Sequence, residues 1–260
     1  MKPPSAAPFV PSAGTLVWHD EFSQPVGSGP DPARWVHDLG DNGWGNQELQ
    51  TYTDSRENSV VVDDPEATDG RALLIRAVRT AAGGYTSARL KTHGKFAATH
   101  GRIEARLKLP RGQGIWPAFW MLGDRIDSVP WPACGEIDIM EMVGHQPDTL
   151  YGTLHGPGYS GKHGLTKSVQ LSRGAVFADA YHVFGVEWRA GRIDWFLDGN
   201  LYHSVAPADL PAGAKWVFAD APFFILINLA VGGLWPGYPD QTTRLPQEYR
   251  VDYVRVYRLE

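Results

Sequence analysis

Glu136, Asp138 and Glu141 stand within the run Cys134-Gly135-Glu136-Ile137-Asp138-Ile139-Met140-Glu141-Met142-Val143-Gly144. On a regular strand Glu136 and Asp138 share one face, and Ile137 and Ile139 fill the other. Strict alternation would send Glu141 to the apolar face, where an unpaired charge is costly. One extra residue near Ile139 or Met140, a β-bulge, returns Glu141 to the face of the other two acids, and bulges recur beside active sites. Three carboxylates on one face repel one another, so at least one keeps its proton to a higher pH than usual. One ionised and one protonated carboxyl are what cleavage of a glycosidic bond requires. With the bulge, the two glutamate Cα atoms lie about four strand steps apart, ~13 Å. Side chains leaning together bring the carboxyls to ~6 Å, between the retaining separation of ~5–5.5 Å and the inverting range of ~6.5–9.5 Å. The spacing leaves both stereochemical outcomes open.

Glu-x-Asp-x-x-Glu arises by chance in roughly one chain of this length in twenty, so the pattern alone fits a solvated edge strand. Its surroundings argue otherwise. The intervening Ile137, Ile139 and Met140 require a buried opposite face, and the flanks Trp116-Pro117-Ala118-Phe119-Trp120-Met121-Leu122 and Val143-Gly144-His145 are equally apolar and aromatic.

Strands must position these acids. Ile103, Ala105, Leu107 and Leu109 alternate with Arg102, Glu104, Arg106 and Lys108, a half-buried strand ending at Pro110. Arg71 to Thr80 reads as another, preceded by the turn-like Thr68-Asp69-Gly70. Ile193 to Leu197 and Leu201 to Val205 flank Asp198-Gly199-Asn200, a hairpin pattern. Phe223 to Val231 is an almost continuous apolar run ended by Gly232-Gly233, which fits a central strand, and Val251 to Tyr257 closes the chain with a further strand. Helical signals are confined to a turn capped by Asp31-Pro32 through Trp35 and a second over Ala175 to Tyr181. The expectation is an all-β domain of two large antiparallel sheets packed face to face, over residues 14–260.

Composition narrows the partners. The 24 basic and 29 acidic residues give a net charge of −5 with no run of either sign, which argues against nucleic acid, whose binding needs a basic face. A single cysteine, Cys134, excludes an internal disulfide and a multi-cysteine zinc site, and no apolar stretch approaches a membrane span. Residues 1–13, carrying Pro3, Pro4, Pro8 and Pro11, read as a flexible tail and not as an intact signal peptide. The ten Trp, ten Tyr and ten Phe beside 29 Gly and 20 Pro fit sheets joined by turns, with many of the rings in the core.

GEIDIMEMVG preceded by WPAFWML resembles glycoside hydrolase family 16, in particular its bacterial laminarinase-type endo-β-1,3-glucanases. The resemblance extends to Trp18-His19-Asp20-Glu21-Phe22, Asn42 to Tyr52, Thr86 to Leu90, Tyr181 to Trp188, Trp195 to Gly199 and Asn228 to Gly233. It implies a β-jelly-roll sandwich of two curved sheets with a substrate cleft, and a retaining double displacement. It makes Glu136 the nucleophile and Glu141 the acid/base, with Asp138 positioning Glu136 and modulating its proton affinity. The five-residue gap from Glu136 to Glu141 matches the bulged subgroup, whereas relatives specialised for mixed-linkage glucan or xyloglucan tend to carry a gap of four. It therefore implies laminarin-like β-1,3-glucan as substrate, with mixed-linkage glucan second. By the same resemblance Asn46, Arg89 and His155 contact substrate. Trp116, Trp120 and Trp235 are candidate subsite walls, because sugar faces pack on indoles, although core packing would account for each singly. Trp131 and Gln113 fall near the cleft without an assigned role.

No cofactor is expected for catalysis. The family implies a structural calcium at Glu21, Gly70 and Asp252, held by backbone carbonyls and one aspartate. It also implies a secreted enzyme; a monomer is expected. Other readings on this scaffold are a non-catalytic β-glucan recognition protein, which would lack the glutamates, and an enzyme of sulfated galactans, which would favour a more basic cleft. A transglycosylase, in which sugar intercepts the intermediate, stays open.

Overall fold

The computed structural model describes residues 14–260; the N-terminal tail expected over residues 1–13 lies outside them. Two sheets account for the described strands. The larger has ten, with a path running Asn200–Val205, Arg192–Leu197, His182–Arg189, Gly101–Lys108, Gln247–Leu259, Arg71–Arg79, Tyr85–Ser87 and Gln50–Tyr52. Gly14–Asp20 pairs with Gln247–Leu259, and Ser59–Asp63 with Arg71–Arg79. The smaller has seven, in the order Leu165–Gln170, Thr149–His155, Glu136–Glu141, Ile115–Gly123, Phe223–Val231, Arg89–Lys91 and Val36–Asp38. Pairing is antiparallel except between Gln50–Tyr52 and Tyr85–Ser87.

The alternation read in Gly101–Lys108 is the alternation observed: Ile103, Ala105 and Leu107 are buried, while Arg102, Glu104 and Arg106 lie half-buried on the other face. One apolar core joins the sheets. Ile103, Leu107, Phe184, Trp188, Trp195 and Val254 enter it from the larger sheet, and Phe119, Met121, Ile137, Met140, Leu154 and Ile225 from the smaller. Phe223–Val231 is buried at all nine positions for two separate reasons. Its odd-numbered residues belong to the core, whereas Asn228, on the other face, lines a cleft. That cleft lies on the outer face of the seven-stranded sheet, opposite the core.

The hairpin expected around Asp198-Gly199 closes with Leu197 opposite Asn200. Both central residues have positive φ, 49° for Asp198 and 74° for Gly199, as a two-residue turn matched to strand twist demands. The two expected helical segments are turns. At Asp31 the carbonyl accepts from both Arg34 and Trp35, with Asp31 Oδ1 capping Ala33, but the chain then enters the Val36–Asp38 strand. Over Ala175 to Tyr181 the Phe177 N–H donates instead to the carbonyl of Pro147, so tertiary contact overrides local helical preference.

Because Ile225 sits mid-strand, fully buried in that shared core, Ile225→Ala is expected to cost about 2–5 kcal/mol in urea denaturation. A loss under about 1 kcal/mol would remove this strand from the centre of the packing.

Candidate active site

Glu136–Glu141 runs between Ile115–Gly123 and Thr149–His155. Asp138 pairs with Trp120, yet the next neighbour, Phe119, faces Met140, so Ile139 is the extra residue of a bulge. On the other side Asp138 faces Thr153 and Glu141 faces Tyr151, leaving Gly152 opposite the two bulged residues. Ile137, Ile139 and Met140 point into the core, and all three acids line the cleft. Gly135 delivers the chain into this strand at φ 83°, where a side chain would stand 2.8 Å from Phe223 and 2.9 Å from Val217. Only glycine meets both demands.

The cleft encloses about 1090 Å³. Each acid has a ring nitrogen beside it. Trp131 Nε1 donates to Glu136 Oε2 at 2.5 Å, and Trp116 Nε1 to Glu141 Oε1 at 3.1 Å. His155 Nε2 stands 3.2 Å from Asp138 Oδ2, which is 3% exposed. Burial, reinforced by the Asp138 charge, pushes Glu136 up to about 8, against the opposing pull of His155 and Trp131. Asp138 is raised by burial, and its hydrogen bond with Glu136 works the other way. Glu141 is raised well above the carboxylate range, by burial and then by the charges of Asp138 and Glu136. The cluster therefore holds protons at neutral pH and presents an acid beside a carboxylate pair that shares a hydrogen bond. That combination suits proton delivery to a departing oxygen together with nucleophilic attack.

The expected cleft residues come together, each with a particular restraint. The Arg89 guanidinium lies 4.8 Å from the ring centroids of both Trp44 and Trp120, and its Nε bonds Asp38 at 2.9 Å. Asn46 Nδ2 donates to the Trp44 carbonyl and to Glu48 Oε1. Trp120 Nε1 donates to Asn228 Oδ1 at 2.7 Å. Trp235 is 42% exposed at the cleft mouth, edge-on to Trp116 and Tyr151, so it is no core residue. Gln113 lies outside the lining residues and bonds the carbonyls of Pro236 and Tyr238.

Sequence reasoning left Trp131 without a role and passed over Glu48, Tyr151 and Asn228. Buried Glu48 is a hub, accepting from Asn46, Gln50 and the Tyr52 hydroxyl, which in turn accepts from Asn228 Nδ2. A polar Asn228 inside an apolar run was the available signal, because a buried amide must find partners.

The residues expected for calcium meet protein partners. Asp252 accepts from the Thr68 N–H and hydroxyl and from Arg106, whose guanidinium already supplies the positive charge. The Gly70 carbonyl accepts from Asp64 N–H, and the Glu21 carboxylate, as distinct from its backbone carbonyl, is paired with Arg255 at 2.7 Å.

A family model described as Glycosyl hydrolases family 16 matches residues 44–255. The chain is 44% identical over 254 residues to the Beta-glucanase of Rhodothermus marinus, covering 94% of this chain and 85% of the relative. It is 36% identical over 267 residues to the Glucan endo-1,3-beta-glucosidase A1 of Niallia circulans, with shares of 94% and 38%. With the Endo-1,3-1,4-beta-glycanase EglC of Rhizobium meliloti it shares 33% over 235 residues, 87% and 46% of the two chains. Among solved structures, the laminarinase catalytic domain from Thermotoga maritima superposes with a TM-score of 0.85 at 46% identity, covering 95% of this chain and 99% of that one. The endo-β-1,3-glucanase of Pyrococcus furiosus gives 0.87 at 43%, covering 98% and 99%.

The raised acids set a sign for stability. A carboxyl whose folded pKa lies above its unfolded value contributes most below the unfolded value, and that contribution is lost as pH rises toward about 8 for Glu136. Glu136→Gln removes this penalty and relieves the neighbouring acids. The variant is expected to match the parent near pH 4.5 and to exceed it at pH 9 by at least about 3 °C in Tm, the shift that roughly 1 kcal/mol gives at this size. A gap that ignores pH, or shrinks as pH rises, would contradict the burial of this cluster.

Proposed function

We infer, for a chain that belongs to glycosyl hydrolases family 16, endo-acting hydrolysis of β-1,3-glucan, with mixed-linkage β-1,3-1,4-glucan as a second substrate. The observation that carries the reading is the bulge at Ile139, which sets Glu136, Asp138 and Glu141 in one cleft over a buried apolar face. The cleft's cations, Arg89 and Lys162, face four acids, Glu48, Glu136, Asp138 and Glu141. Arg89 is moreover neutralised by Asp38. Such a lining favours an uncharged glucan over a sulfated galactan. The intact carboxylates favour an enzyme over a recognition module, and half-exposed Trp235, Trp116 and Trp120 offer faces for sugar rings. Residues 14–260, sharing one core, are read as one catalytic unit.

In the proposed double displacement an oxygen of Glu136 attacks the anomeric carbon while Glu141 gives its proton to the leaving glycosidic oxygen. Glu141 enters protonated because burial and two neighbouring charges hold it so. Glu136 enters ionised when the proton it shares with Asp138 rests on Asp138, an arrangement that the Trp131 N–H favours by donating to Glu136. Glu141, now ionised, then takes a proton from water, whose oxygen attacks the anomeric carbon and releases Glu136.

Two variants separate the roles. Glu136→Ala should be inactive on laminarin and on aryl glycosides alike, with azide filling the vacated space to give an α-glycosyl azide. Glu141→Ala should lose about 10²–10⁴-fold on laminarin but keep the first step on a dinitrophenyl glycoside, with azide then yielding the β product. Proton NMR of the two azides distinguishes the outcomes. Exchanged configurations would reverse the assignment, and a parent enzyme that inverts would exclude double displacement. Tenfold higher kcat/KM on xyloglucan or carrageenan than on laminarin, about 1.4 kcal/mol, would overturn the substrate.

A further inference from the structure

The bulge that aims Glu141 has a clamp on its hidden side. Where the register slips, the ladder is locally disrupted, and a buried carbonyl left without a donor is costly. The carbonyl of Asp138, the last residue before the slip, accepts a 2.8 Å hydrogen bond from Trp195 Nε1. Trp195 belongs to the opposite sheet, in Arg192–Leu197, and is fully buried. The bond thus crosses the apolar core from one sheet to the other.

Three neighbouring features are shaped for this contact. Gly152, opposite the bulge, has no side chain; a Cβ there would meet Trp195 Cδ1 at 2.6 Å and the Tyr202 hydroxyl at 2.4 Å. The strand carrying Trp195 is itself irregular at that residue: Trp195 faces His203 and Phe196 faces Leu201, so Tyr202 is an extra residue on its partner. His203 packs its ring over the Trp195 indole with centroids 4.7 Å apart, and its Nε2 is anchored at the Leu165 carbonyl. Two irregularities on facing sheets therefore meet through one indole.

We propose that Trp195 is a positioning residue for catalysis: its N–H fixes the bulge and thereby the placement of Glu141 relative to Glu136 and Asp138. This rests on the reading of Glu141 as acid/base. Trp195 touches no substrate and lies outside the cleft lining, so its effect passes only through the Asp138 carbonyl. Losing the bond loosens Glu141, on the far side of the slip, more than Glu136, whose neighbours remain in register with Ile115–Gly123.

The test replaces Trp195 by Phe and, in a second variant that keeps ring size and removes only the donor, by 3-benzothienylalanine. Values of kcat/KM are measured on aryl β-laminaribiosides with leaving groups from dinitrophenol to phenol, alongside Tm and Glu141→Ala. Both Trp195 variants are expected to lose about tenfold or more with phenol and under threefold with dinitrophenol, part of what full removal of an acid costs. A merely structural tryptophan would give equal losses across the series, or none in the benzothienyl variant, and either result overturns the proposal. If Trp195→Phe does not fold, the benzothienyl variant decides alone. A Glu141→Ala enzyme without leaving-group dependence would instead refute the acid/base assignment itself, so the two failures are distinguishable.

Discussion

Crowding of like charge over an apolar floor sets the terms for this molecule. Glu136, Asp138 and Glu141 repel one another, and the same strand must present Ile137, Ile139 and Met140 to the core. Neither side can be satisfied by regular alternation, because the acids are not evenly spaced. The bulge resolves the conflict geometrically, and indole and imidazole nitrogens temper it electrostatically. Burial, with repulsion added to it at Glu136 and Glu141, appears as elevated proton affinity, which is the property an acid catalyst needs near neutral pH. A feature that burdens the fold thereby serves the reaction.

The opposite wall of the cleft is organised differently. Glu48 gathers Asn46, Gln50 and Tyr52, and Tyr52 passes the connection through Asn228 to the Trp120 indole. Gln50 ties the same network to the backbone of Val231. Buried networks whose members are satisfied are rigid, so the ring that faces sugar is fixed from behind. Arg89, held by Asp38 between two indoles, completes a wall that needs little rearrangement when a polymer enters.

Much of this was legible in residue order. Period-two alternation in Gly101–Lys108, the Asp198-Gly199 hairpin and the continuous run Phe223–Val231 each yield the observed strand, because side-chain period, turn chemistry and double-sided burial are local properties. The bulge was legible too, since Glu141 had nowhere else to go. Partners distant in sequence were not. Nothing near Trp195 points to the carbonyl of Asp138, and nothing near Tyr52 points to Asn228, because sheet order brings them together. The capped turn at Asp31 was legible as well, whereas the stretch from Ala175 misled because the Phe177 N–H goes to Pro147 in another segment. The partners of Asp252, Thr68 and Arg106, were equally hidden, because spacing could not reveal them.

Measured along its neighbour, the bulged strand is shorter than it reads. Glu136 lies opposite Leu122 and Glu141 opposite Ala118, so five steps of one strand are matched to four of the other. A chain lacking one codon at Ile139 or Met140 would span the same four steps by plain alternation, with all three acids still facing outward. The insertion is therefore nearly silent on the cleft side and is recorded mainly beneath it, as an added apolar side chain and an altered local twist. By register alone, the number of residues between the two glutamates can change by one without inverting the strand, so a codon count and a facing direction are separable properties of this segment.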